Sequence, residues 1–151
     1  MTMLFKRETL DTAFNDAIPL LMAHYEEIAW NKDKIPLDIN FEAYLKLEKA
    51  GILIVFTARQ GFDLAGYSVF FVNTSPHYNS TKYAINDVIF VKPEFRGTTG
   101  LKFAKFCEAE LKTMSVKVIT YHIKDKFDWS PALVRIGYEK MESILSKWIG
   151  D

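Results

Sequence analysis

A chain of 151 residues can build one hydrophobic core without a metal or disulfide staple, since a domain of this size buries roughly two-thirds of its unfolded surface. Its 49% hydrophobic and 25% charged composition excludes disorder, and 19 Lys plus Arg balance 19 Asp plus Glu, so no long-range positive field gathers nucleic acid or an acidic membrane. Cys107, the only cysteine, excludes an internal disulfide and favours a reducing, cytoplasmic compartment; no His/Cys cluster has zinc-ligand spacing, so no metal is expected. The first ten residues lack the apolar run of a signal peptide, and no segment approaches the ~18 apolar residues of a membrane span.

In chain order, Phe14, Ile18, Leu21, Tyr25 and Ile28 recur at steps of four and three, which predicts a helix over much of 11–30 with those residues on its apolar face. Pro19 predicts a kink or a second helix start near Ile18. The polar stretch 31–37, with Pro36, reads as an exposed connection. A second helix over about 39–50 follows, with Asp38 as its cap and Gly51 as its stop. The β-branched and aromatic runs at 52–58 and 64–72 flank Gln60, Gly61 and Phe62 and predict a hairpin. After a loop at 73–81, the segment 83–91 reads as a strand covered on both faces, in which Asn86 and Asp87 are the polar exceptions.

The segment 99–114 places Gly100, Ala104, Cys107, Leu111 and Met114 on one face and Lys102, Lys105, Glu108 and Lys112 on another, the pattern of an amphipathic helix. A strand at 116–121 completes a strand, helix and strand unit that should be parallel. Pro131 and Gly137 bracket a short helix at 129–135, and 138–149 reads as one bent strand or two. The expected fold is a single α/β domain over 1–151 with a mixed, mostly antiparallel sheet flanked by helices.

The chemistry gathers between the 83–91 strand and the helix that follows. Gly97 and Gly100 let backbone amides turn toward a ligand, the helix start adds unpaired amides, and Arg96 adds a cation, an assembly suited to a pyrophosphate. The loop lacks the Gly-Lys-Ser/Thr ending of a nucleotide P-loop and the three-glycine spacing of a dinucleotide site. Taken alone, Gly and Thr here would also serve ordinary turning and capping.

Val91-Lys92-Pro93-Glu94-Phe95-Arg96-Gly97, followed by an amphipathic helix, resembles the acetyl-CoA motif of the GNAT acyltransferase superfamily. Ala132-Leu133-Val134-Arg135-Ile136-Gly137-Tyr138 resembles the short helix and Leu-Gly-Phe/Tyr step before that family's last strands. The order of elements is similar from about residue 11 to the end. His24-Tyr25-Glu26-Glu27, His77-Tyr78 and the 138–148 ending are similar to GNAT-like proteins encoded by phages. Two departures stand out: Thr99 and Leu101 occupy positions that are usually small, and Leu133 stands where the family often has a Tyr general acid.

The resemblance implies an N-acetyltransferase that moves an acetyl group from acetyl-CoA to a small-molecule or peptide amine. It implies that the backbone of Ile89, Phe90 and Val91 pairs with the pantetheine arm and that Arg96, Gly97, Thr98, Thr99, Gly100 and Leu101 hold the pyrophosphate. Asp87 is then the candidate base, because the attacking amine must be neutral. Tyr121 and His122, on opposite faces of the next strand, are candidate acids for the leaving thiolate; packing roles for both, and a structural carboxylate at Asp87, are the competing readings. His24, His77 and Tyr78 are expected on the acceptor side, and the family's habit of pairing late strands makes a homodimer an expectation. The rival function is a noncatalytic GNAT-fold binding protein, structural or inhibitory in a phage; a longer acyl group or an alcohol acceptor is a third reading.

Overall fold

The computed structural model describes residues 2–151. Its centre is a five-stranded sheet in the order β1 (Met3–Glu8), β2 (Leu53–Gln60), β3 (Asp63–Ser75), β4 (Tyr78–Val91) and β5 (Val118–Thr120). The first four strands pair antiparallel and β5 joins β4 in parallel, as the strand, helix and strand pattern requires. Helices α1 (Leu10–Ile28) and α2 (Phe41–Lys49) cover one face of the sheet, while α3 (Thr98–Thr113) covers the other; α4 (Ser130–Val134) follows β5.

On the α3 face, Phe56, Phe70, Phe103, Cys107 and Leu111 are fully buried and form the largest core cluster. Phe5 of β1 stacks on Phe103 at 5.2 Å, so the edge strand is held by packing as well as by its ladder. The sequence reading missed β1: its alternate residues are exposed and no turn residue announces it. Its last residue, Glu8, is buried with Arg59, whose Nε and Nη2 meet the carboxyl at 2.7 and 3.1 Å; Thr57 adds a third hydrogen bond. Burial alone would raise the Glu8 pKa, yet these donors outweigh it and hold it below the usual value.

Three expectations about the helices change. The residues of α1 that reach the sheet are Leu10, Ala13, Ala17, Leu20 and His24, one position out of step with the expected apolar face, and Ile18 is 46% exposed. Small side chains at 13 and 17 let the helix lie close to the sheet, while Phe14 turns sideways to Phe41 of α2 at 4.3 Å. Pro19 does not break α1: it lies on the exposed side, and burial of Ala17 and Leu20 on either side of it holds the turn together. Asn40, not Asp38, caps α2, accepting from the Ala43 amide at 3.0 Å; Gly51 ends it, with the Gly51 and Ile52 amides donating to Glu48 and Leu47 carbonyls.

The expected loop at 73–81 is instead a tight turn, because β3 and β4 extend to Ser75 and Tyr78. The expected strand or strands at 138–149 do not form. From Gly137, φ +100°, the chain leaves α4 without regular structure, and Met141, Ile144, Leu145 and Ile149 are 69–95% exposed. With only three residues, β5 offers little ladder for that segment to extend.

Candidate active site at the fork between β4 and β5

Pairing between β4 and β5 runs through Tyr83↔Val118, Ala84↔Ile119 and Ile85↔Thr120, and there it stops, while β4 continues to Val91. The two strands thus form a fork whose apex lies at Asn86 and Tyr121. On its other side β4 stays paired with β3, where Gly66 faces Val91; a Cβ at Gly66 would lie 2.5 Å from the Phe90 carbonyl, so only glycine permits this approach.

At the apex β4 carries a bulge. Val69 pairs with Val88 and Phe70 with Asn86, so Asp87 is an extra residue in the ladder. The bulge reverses the alternation: Asn86 and Ile89 face the α3 side, whereas Asp87 and Val88 both face α1 and α2. The Asn86 amide donates to Ser68 Oγ at 3.1 Å and to the Val69 and Val88 carbonyls at 3.2 Å, satisfying carbonyls on both sides of the irregularity. Asp87 Oδ2 accepts from Tyr44 Oη at 2.6 Å. Burial, and then that carboxyl, push the Tyr44 pKa upward, so the phenol stays protonated and donates.

One step past the last β4–β5 pair, Tyr121 turns to the opposite face of the sheet. Its ring meets Phe70, Trp129 and Tyr138 edge-on at 5.7, 5.3 and 5.5 Å. Its hydroxyl is buried with no hydrogen-bond partner among the described residues, and burial raises its pKa well above the ordinary value. His122, which follows Tyr121 beyond the end of β5, is exposed.

The wide end of the fork meets the start of α3. Gly97 adopts φ 95°, a conformation side chains disfavour, and caps α3 with no side-chain hydrogen bond, leaving the first-turn amides of Thr98, Thr99 and Gly100 uncapped. Nothing lies within 4 Å of where a Cβ would stand at Gly97 or Gly100. This open, amide-lined turn fits an anionic phosphate group.

No family model and no curated protein matches this sequence. Solved structures do. A ribosomal-protein-alanine N-acetyltransferase from Brucella melitensis superimposes with a TM-score of 0.78 at 16% identity over 100% of both chains. A GNAT family acetyltransferase from Staphylococcus aureus gives 0.69 at 16% identity over 99% of this chain and 100% of its own. The structure of AAC(6')-Iy with the bisubstrate analogue CoA-S-monomethyl-acetylneamine gives 0.66 at 13% identity over 100% of both.

The fold is that of the GNAT acetyltransferases. On the GNAT scaffold the expected site residues separate into groups. Asp87, Tyr121, Ile89, Phe90 and Val91 line the fork, and Arg96, Gly97, Thr98, Thr99, Gly100 and Leu101 form its wide end. Arg96 does not project freely: Nε donates to the Val91 carbonyl at 2.8 Å, Nη2 pairs with Glu27, and the guanidinium lies over Phe127 at 4.9 Å.

His24 does not line an open acceptor side. It is 6% exposed, stacked on Phe90 at 5.1 Å and hydrogen-bonded through Nδ1 to Tyr67 Oη at 2.9 Å. Burial, opposed by Glu27 and reinforced by Arg96 and Lys124, brings its pKa down to about 4. His77 and Tyr78 stack edge-on at the turn between β3 and β4, roughly 30 Å along β4 from Asp87, so the fold does not bring them to the fork.

Tyr44 and Glu27 are functional candidates that sequence reasoning passed over. Tyr44 falls inside the helix expected over 39–50, and its partner, Asp87, is found only where α2 crosses the bulge. Among the described residues no three His, Cys, Asp or Glu side chains group as a metal site, and no helix is long and apolar enough to cross a membrane.

Proposed function

We propose that this chain transfers an acetyl group from acetyl-CoA to an amine by direct attack within a ternary complex. The observation that carries the reading is the fork itself: a carboxyl and an unpartnered phenol flank its apex from opposite faces, and an uncapped helix start stands at its wide end. A thioester at the apex, with its pyrophosphate on the Gly97–Leu101 turn, would place the reacting carbonyl between the two groups.

In this mechanism Asp87 takes the proton from the incoming ammonium, directly or through water, and Tyr44 holds the carboxyl in position. The neutral amine attacks the thioester carbonyl, the tetrahedral intermediate collapses, and the C–S bond breaks. The departing sulfur takes a proton from Tyr121, whose high pKa keeps it protonated at neutral pH, and Tyr121 regains one as the acylated nitrogen gives up its second proton, so no phenolate persists. Because a free thiol titrates near ~8.5, most of the rate would come from orientation and amine deprotonation rather than from this acid. His122, exposed and beyond the end of β5, has no role in this mechanism, nor have His24, His77 and Tyr78.

Turnover tests the reading: an amine panel incubated with acetyl-CoA, read as free CoA thiol, should identify at least one acceptor. No thiol release from any amine, despite tight acetyl-CoA binding, would favour the noncatalytic binding protein. A homodimer also belongs to this proposal, supported by the exposed apolar side chains Met141, Ile144, Leu145 and Ile149 and by the unpaired edge of β5. A monomeric mass in sedimentation equilibrium would remove it.

A further inference from the structure

Arg96 places a positive charge one residue before the N-cap of α3, where the uncapped amides already create positive potential. A cation there needs an anion, and α1 supplies one. Glu27, on its last turn, sets its two carboxyl oxygens 2.9 and 2.8 Å from Arg96 Nη2. A further cation lies at the same turn of α1, with Lys126 Nζ 3.5 Å from the Glu26 carbonyl. The guanidinium is positioned independently of Glu27, by the Val91 carbonyl at 2.8 Å and by the rings of Phe127 and Phe90 at 4.9 and 5.5 Å. Glu27 therefore balances a charge whose location other groups already fix.

We propose that Glu27 is an internal counter-ion standing where a ligand phosphate goes, so that donor binding exchanges the Glu27 carboxyl for the CoA pyrophosphate on Arg96. The inference rests on the acetyl-CoA reading and adds to it a residue that sets donor affinity from a different helix. The pair is partly exposed, with side chains 28% and 25% accessible, so exchange needs no rearrangement of the core.

Calorimetric titration of the wild type, Glu27→Gln, Arg96→Gln and the double variant with CoA, inorganic pyrophosphate and pantetheine tests this. Glu27→Gln should bind CoA and pyrophosphate about two- to fivefold more tightly than the wild type, the range held by a partly exposed ion pair, with pantetheine unchanged. In the Arg96→Gln background the Glu27 substitution should have no effect on CoA. Should Glu27→Gln fail to fold, Glu27→Asp, which shortens the reach, should tighten CoA in the same direction by less. If the wild type binds CoA and removing the Glu27 charge leaves that affinity equal or weaker, the counter-ion is overturned and the donor reading stands. If neither CoA nor pyrophosphate binds the wild type or the variants, the donor reading falls and the counter-ion with it.

Discussion

Tyr44 Oη lies 2.6 Å from Asp87 Oδ2, a contact between α2 and the bulged residue of β4 across 43 positions of sequence. The bulge turns Asp87 toward the helices, the Asn86 amide ties down the carbonyls on either side, and Tyr44 fixes the carboxyl. If this carboxyl accepts the ammonium proton, Asp87→Asn should lower acetyl transfer about 10²- to 10⁴-fold while leaving acetyl-CoA affinity intact. Steady-state thiol release and donor titration on the same preparation check this, and unchanged turnover would leave Asp87 a structural carboxyl.

Tyr121 offers a second, oppositely signed prediction. Its hydroxyl is buried without a partner, so Tyr121→Phe removes an unsatisfied group while keeping the ring against Phe70, Trp129 and Tyr138. Stability should hold or rise by up to about 1–3 kcal/mol, and turnover should fall. Urea unfolding beside the rate assay separates the two effects. A variant that loses stability would mean the hydroxyl has a partner in solution.

His24 makes stability depend on pH. Burial lowers its pKa from an ordinary 6.5 to about 4, so between those values the unfolded chain binds a proton that the folded chain refuses. The contribution is complete above pH 6.5 and is lost as pH falls toward 4, by about 3 kcal/mol in all. Denaturant midpoints across this window should fall for the wild type and stay flatter for His24→Gln.

Glu8 and Arg59 form the best-buried ion pair, and Arg59 Nη1 also meets Asp16 of α1 at 3.0 Å, joining β1, β2 and α1. Arg59→Ala strands the buried Glu8 carboxyl and should cost about 3–5 kcal/mol in urea unfolding, whereas Glu8→Ala leaves Arg59 paired with Asp16 and should cost less.

Much of the fold was legible where residues punctuate the chain. Pro93 and Gly97 separate β4 from α3, Pro131 and Gly137 bracket α4, and Gly51 ends α2. Periodicity failed where packing chose among faces: Ala13, Ala17 and His24 line the buried side of α1 because they are small or find a partner, while Ile18 is left outside. The apolar pattern of 138–149 was that of strands, yet no full-length edge receives it. At the site, the loop glycines and Asp87 could be found in sequence because they interrupt local patterns. Tyr44 and Glu27 could not, because their meaning comes from what the fold sets opposite them. Arg96 was visible, but its commitment to Glu27 and Phe127 was not.

The measurement that bears most directly on the account is the thermal midpoint with and without saturating acetyl-CoA, with ATP and NAD as controls. At a hundredfold excess over its dissociation constant the donor should add ~2.7 kcal/mol, a rise of roughly 5–10 °C for a chain of this size, and neither control should match it. An unmoved midpoint, or one moved equally by all three ligands, would contradict a donor site at the fork between β4 and β5.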